Sequence, residues 1–112
     1  MNVYFKNNYT HDVWIAYTAY DPDNCAKYGN WSTHGWWKLC PGEQECVFET
    51  NNIYAYFYAE ASDGTFWGGD DLAVDVSQNA FDSCIDIGTT QDWTVGMRQI
   101  VICGDTTENL NP

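Results

Sequence analysis

A Ser, Cys or Thr nucleophile needs a base beside it, usually histidine, and the chain has two histidines, His11 and His34. His11 falls in a turn and His34 opens a Trp-Trp run; neither sits in a nucleophile or metal motif, and both read as exposed or strand-end side chains. Paired carboxylates can hydrolyse a glycosidic bond, but Asp70 and Asp71 are sequence neighbours whose side chains diverge in an extended segment. No nucleophile, base and orienting group can be nominated together, so the chain reads as a non-enzymatic protein that acts by binding or assembly. Calcium is the more physical use for the acidic loops. Asp21, Asp23 and Asn24 place three oxygen ligands in four residues, and Asp70 with Asp71 adds two more after a Gly pair. Neither group has EF-hand spacing, and Asp and Asn serve equally well as turn formers. No other cofactor is implied.

The aromatic residues carry more information. Six Trp, eight Tyr and five Phe exceed the roughly ten to twelve that a small sandwich can bury, given the area each covers. Several of Tyr20, Tyr28, Trp31, Trp36 or Trp37, Tyr54, Tyr56 and Tyr58 are therefore expected at the surface or under loops. Trp31, Trp36, Tyr54, Tyr56 and Tyr58 are the expected ligand-binding set: stacking platforms for a glycan, with Asp and Asn side chains for its hydroxyls. The same surface would serve a protein interface or self-assembly into an oligomer or filament, or form a second aromatic layer beneath the long loop. The sequence leaves these readings open.

Four Lys plus Arg against sixteen Asp plus Glu give a net charge of −12. Such a surface repels phosphate backbones and anionic lipid, which disfavours nucleic acid and membrane partners. No apolar run of spanning length occurs, so membrane insertion is not expected. None of Cys25, Cys40, Cys46, Cys84 and Cys103 has zinc-ligand spacing, and a disulfide framework in an oxidising compartment, extracellular or periplasmic, is the expectation. Cys40 and Cys46 flank Pro41-Gly42 and are expected to bridge across a hairpin. Cys25 and Cys84, both in irregular segments, are expected to pair with each other, leaving Cys103 as a buried thiol. The first residues enter a strand with no recognisable signal segment, so the expectation is either that a signal has been removed or that the protein is cytoplasmic with reduced cysteines.

The elements that position these residues are all extended. Leucine is nearly absent, whereas Tyr, Trp, Phe and Val are plentiful, which suits a sheet core. Strands are expected at 3–6, at 13–20 with both faces apolar, through the Trp36-Trp37 run up to Cys40, and back through Cys46-Val47-Phe48. Further strands are expected at 53–60, at 65–67 after the Asp63-Gly64 turn, at 72–76 and from 93 to 103. A loop of ten residues covers 21–30, one helical turn is expected at 79–84 and a loop at 88–91. The expected architecture is a single-domain antiparallel β-sandwich of about eight short strands, disulfide-stapled, over residues 1–104, with a flexible tail at 105–112.

Asn7 with Tyr9-Thr10, then Gly35-Trp36-Trp37, Pro41-Gly42-Glu43, Tyr56-Phe57-Tyr58-Ala59-Glu60, Asp63-Gly64, Trp67-Gly68, Phe81 with Cys84, and Trp93-Thr94-Val95 occur in the order of a bacterial family, the domain of unknown function numbered 1036. The chain resembles that family over nearly its whole length, and the resemblance brings no activity. It departs at Lys6, where members often have Cys, and at Gln44-Glu45-Cys46, where members place Cys directly after Pro-Gly-Glu. Disulfide pairing is therefore not carried over. The opening 3–8 followed by Val13-Trp14 also looks like the first strand pair of thaumatin-like sandwiches.

Overall fold

The computed structural model describes residues 1–77, 81–84 and 92–112. Its elements are β1 (Asn2–Asn7), β2 (Val13–Tyr20), α1 (Pro22–Cys25), β3 (Trp31–Leu39), β4 (Gln44–Glu49), β5 (Tyr54–Ala61), β6 (Phe66–Trp67), β7 (Leu72–Ser77), β8 (Phe81–Cys84), β9 (Asp92–Val101) and β10 (Thr106–Leu110). The all-β sandwich is confirmed, with a three-stranded sheet in the order β10-β1-β4 against a larger one in the order β7-β9-β5-β2-β3-β8, with β6 beside β5. Pairing is antiparallel except between β1 and β10.

β2 shows how the sequence builds this. Val13, Ile15 and Ala19 enter a core shared with Val3, Phe5, Val47 and Phe48 of the small sheet and with Phe57 and Ala59 of β5. The opposite phase, Ala16 with Tyr58, joins Val74, Val76, Val95 and Met97 in a second core. The large sheet is thus covered on both faces, as the two apolar faces of β2 require.

The second core exists because the large sheet rolls up. β7 and β8 lie at opposite ends of its strand order, yet Ser77 and Phe81 are only four residues apart in sequence. Four residues span at most about 14 Å, so the two ends must come together, and β7 does lie against β3. Inside the roll, Thr18 Oγ1 meets Thr33 Oγ1 at 2.9 Å and donates to Met97 Sδ at 3.3 Å. Where β9 leaves β7 for β5, Gly96 passes so close to Gly69 that a Cβ on Gly96 would stand 2.2 Å from the Gly69 carbonyl oxygen.

Five expectations need correction. The run after Pro41-Gly42 does not return beside β3: β4 pairs with β1 in the other sheet. The crossing is held by fully buried Asn7, whose carbonyl accepts from Gly42 N at 2.7 Å and whose amide donates to the Leu39 carbonyl at 3.1 Å. Cys40 and Cys46 are consequently free and exposed, and the disulfide joins Cys25 to Cys84. Cys103 is exposed instead of buried, because Arg98 and Gln99 both face out where β9 changes partner and the phase slips by one. Ile100 and Ile102 take the core positions there, and a one-residue slip moves every later side chain to the other face.

The tail is also ordered: β10 pairs along β1 from Val3↔Thr106 to Asn7↔Leu110, and Leu110 is fully buried. Residues 81–84 form strand β8 at the edge of β3 instead of a helical turn. These two strands make up the difference between the eight expected and the ten found among the described residues. Residues 79–80 and the expected loop at 88–91 lie outside the described residues.

Candidate functional site

One mouth of the rolled sheet is lined with aromatic rings. Register places Lys38, Trp14 and Glu60 side by side on β3, β2 and β5, and the Lys38 ammonium lies 5.8 Å from the centroid of the Trp14 ring. In the next row the β2–β3 register shifts, with Ile15 opposite Trp37 and Ala16 opposite Gly35. Trp36 is the bulged residue, following a cis Gly35-Trp36 peptide. A bulge re-aims side chains: Trp36 turns into the mouth and donates from Nε1 to the Ser77 carbonyl at 2.7 Å. Trp37 faces out and donates to Glu45 at 2.9 Å. The two neighbouring tryptophans thus serve different surroundings.

Trp93 of β9 stacks on Trp36 at 6.3 Å and 18°. Tyr58 meets Trp36 edge-on at 6.2 Å and stacks on Phe66 at 6.0 Å. A cavity of about 260 Å³ is lined by Trp14, Trp36, Glu60 and Trp93. A second of about 450 Å³ shares Trp93 and continues past Phe66 and Tyr58 to Gly68, Gly69 and Asp70. Phe66 is 64% and Trp93 43% exposed, so flat ring faces are presented to solvent. The Tyr58 hydroxyl donates to Glu60 at 3.0 Å. Burial, followed by that bond to Glu60, pushes its pKa up to about 12, so the phenol stays protonated.

Of the expected ligand-binding residues, Trp36 and Tyr58 come together here. Trp31 and Tyr56 meet at 5.8 Å at the opposite end of the inner face, beside Tyr20 at 5.4 Å from Trp31. Tyr54 is exposed at that far end. The row of three tyrosines on β5 is therefore graded: Tyr58 buried, Tyr56 half-buried, Tyr54 open. Trp14, Glu60, Phe66 and Trp93 complete the groove without having been singled out. The inner phase of Trp14 on β2 pointed to it, whereas Trp93 reads as a core residue from periodicity alone.

The acidic loops do not converge. Asn24 donates its amide N–H to both Asp21 carboxylate oxygens, at 3.1 and 3.2 Å. Asp21 and Asp23 line a cavity with Tyr20 and Glu49. Asp71 accepts from Gln99 N at 2.8 Å, and Asp70 lines the groove. Among the described residues no group of three or more His, Cys, Asp or Glu stands close enough to hold a metal.

One set of contacts has the atom order of a hydrolase triad. Ser32 Oγ meets His34 Nε2 at 2.7 Å, and His34 Nδ1 meets the Asp82 carboxylate. Ser32, however, is only 5% exposed and lies outside the cavity of about 180 Å³ beside His34. β3 is paired with β2 on one side and β8 on the other at Ser32, so its backbone there is taken up in the sheet. The row, with Tyr17 stacked on His34 at 4.9 Å, clamps β8 to β3.

The fold and site define a small disulfide-linked β-protein with an open aromatic groove at the mouth of a rolled sheet. Comparison with protein-family models, curated proteins and solved structures finds no match.

Proposed function

We propose that the protein is a non-enzymatic binding module that takes a glycan chain along the aromatic groove. The observation that carries this reading is the set of rings, Trp14, Trp36, Trp93 and Phe66, that lines two adjoining cavities. Mouths of β-barrels are frequent ligand sites, and flat exposed rings beside carboxylates suit the apolar faces and hydroxyls of sugars. The Cys25–Cys84 disulfide supports an extracellular or periplasmic setting. A glycan array tests the reading: binding that is lost in Trp93→Ala and Trp36→Ala is expected, and an array without hits would overturn it.

A second reading, self-assembly, is favoured by the opposite end. Ile53, Tyr54 and Val101 are 53%, 40% and 57% exposed, Tyr54 pairs directly with Val101, and exposed Cys103 follows two residues on. Sedimentation that shows concentration-dependent oligomers dispersed by Val101→Lys would favour it over the glycan reading.

A further inference from the structure

We propose that the glycan taken by the groove is cationic, an oligosaccharide carrying free amino groups of the glucosamine type. This rests on the glycan reading and specifies its ligand class. Indole and phenyl faces present negative charge to a ligand and attract cations. The groove already shows this within the chain, since the Lys38 ammonium sits over Trp14.

The charges around the groove favour the same ligand. Glu60 lines the first cavity and Asp70 the second, and both are exposed. The cations packed nearby are Lys38, which faces a carboxylate of the chain, and Arg98, which is held by a carbonyl and a ring. Lys38 lies 3.6 Å from Asp12. Arg98 donates to the Gly68 carbonyl at 3.2 Å, with its guanidinium over the Phe57 ring. Glu60 and Asp70 thus supply a carboxylate at each cavity, with Arg98 keeping its positive charge beside the second, and the net charge of −12 adds a long-range field that attracts amines and repels uronates and sulfates.

A basic peptide fits less well. β2 and β5 beneath the groove are each hydrogen-bonded to strands on both sides, so an extended peptide finds no free backbone ladder on either of them. A sugar needs none. An amino sugar can stack its ring on Trp93 or Phe66 while its ammonium meets Glu60 or Asp70.

Calorimetry on the full chain would compare tetrasaccharides of glucosamine, N-acetylglucosamine and glucose with a common backbone, in a mildly acidic buffer that keeps the amines protonated. The glucosamine tetramer is expected to bind at least about tenfold more tightly than the glucose tetramer, and the ratio should fall to about twofold or less in Glu60→Gln/Asp70→Asn. Trp93→Ala, shown folded by its circular dichroism, should weaken the binding of every tetramer that binds. Equal affinity for charged and neutral tetramers, or a preference that survives Glu60→Gln/Asp70→Asn, overturns the cationic assignment and leaves the glycan reading intact. Tetralysine binding as tightly as the glucosamine tetramer likewise overturns it in favour of a peptide. Failure of all three sugars to bind the folded protein overturns the glycan reading and the assignment together.

Discussion

Removing the Cys25–Cys84 disulfide should destabilise the protein by an amount that follows from the chain it closes. The two cysteines are separated by 59 residues in sequence, and in the chain-entropy account a loop of that length contributes about 4 kcal/mol by restricting the unfolded state. Cys84→Ser is the suitable perturbation, because Cys25 is buried and its replacement would add a cavity cost. β8 sits at a sheet edge, held by its pairing with β3, the His34–Asp82 contact and this bridge, so it should loosen first. In urea unfolding followed by tryptophan fluorescence, a loss of about 4 kcal/mol at a slope of about 2 kcal/mol per molar lowers the midpoint by about 2 M. Alkylation of the native protein without reductant should label Cys40, Cys46 and Cys103 and spare the other two. An unchanged midpoint, a Cys40–Cys46 link or five labelled thiols would refute the reasoning.

Gly96→Ala should cost at least about 2 kcal/mol, since its Cβ meets the Gly69 carbonyl and a backbone must move. Gly42→Ala, with φ +81 and nothing within 4 Å, should cost only about 1 kcal/mol from conformation. Thermal melts compare the two, and equal losses would remove the crossing argument. Leu110→Ala should lose about 2–5 kcal/mol in the same assay, whereas a frayed tail would lose nothing. The raised Tyr58 pKa means that the folded state holds the phenolic proton more tightly. Its contribution is intact below about pH 10, the ordinary value, and is lost as pH rises toward about 12. Stability measured against alkaline pH should therefore fall more steeply in the wild type than in Tyr58→Phe, and parallel curves would contradict the burial of that hydroxyl.

Local pattern was enough wherever one strand keeps one environment. The alternation of β2 and of Ala55, Phe57 and Ala59 in β5 places the core correctly, and Asp63-Gly64 does join β5 to β6. Ile53 fails because it precedes β5 and is exposed. Pro41-Gly42 marks a turn, but turn chemistry cannot say which sheet the next strand joins, and β4 went to β1. β10 reads as a polar tail because an edge strand with alternating half-buried Thr106 and Glu108 buries only Leu110 fully. β9 defeats a single-phase reading by changing partners midway. An aromatic surplus was visible in composition, yet which rings share a mouth depends on how the sheet rolls. That long-range fact put Trp93 beside Trp36 and left Trp31 and Tyr54 at the far end.

The most direct test uses the six tryptophans as reporters, since each contributes one indole N–H resonance. On titration with a binding tetrasaccharide, the resonances of Trp14, Trp36 and Trp93 should shift together, while those of Trp31, Trp37 and Trp67 stay in place. Movement of Trp31 with Trp14, Trp36 and Trp93 unperturbed would contradict the account and place the site at the opposite mouth.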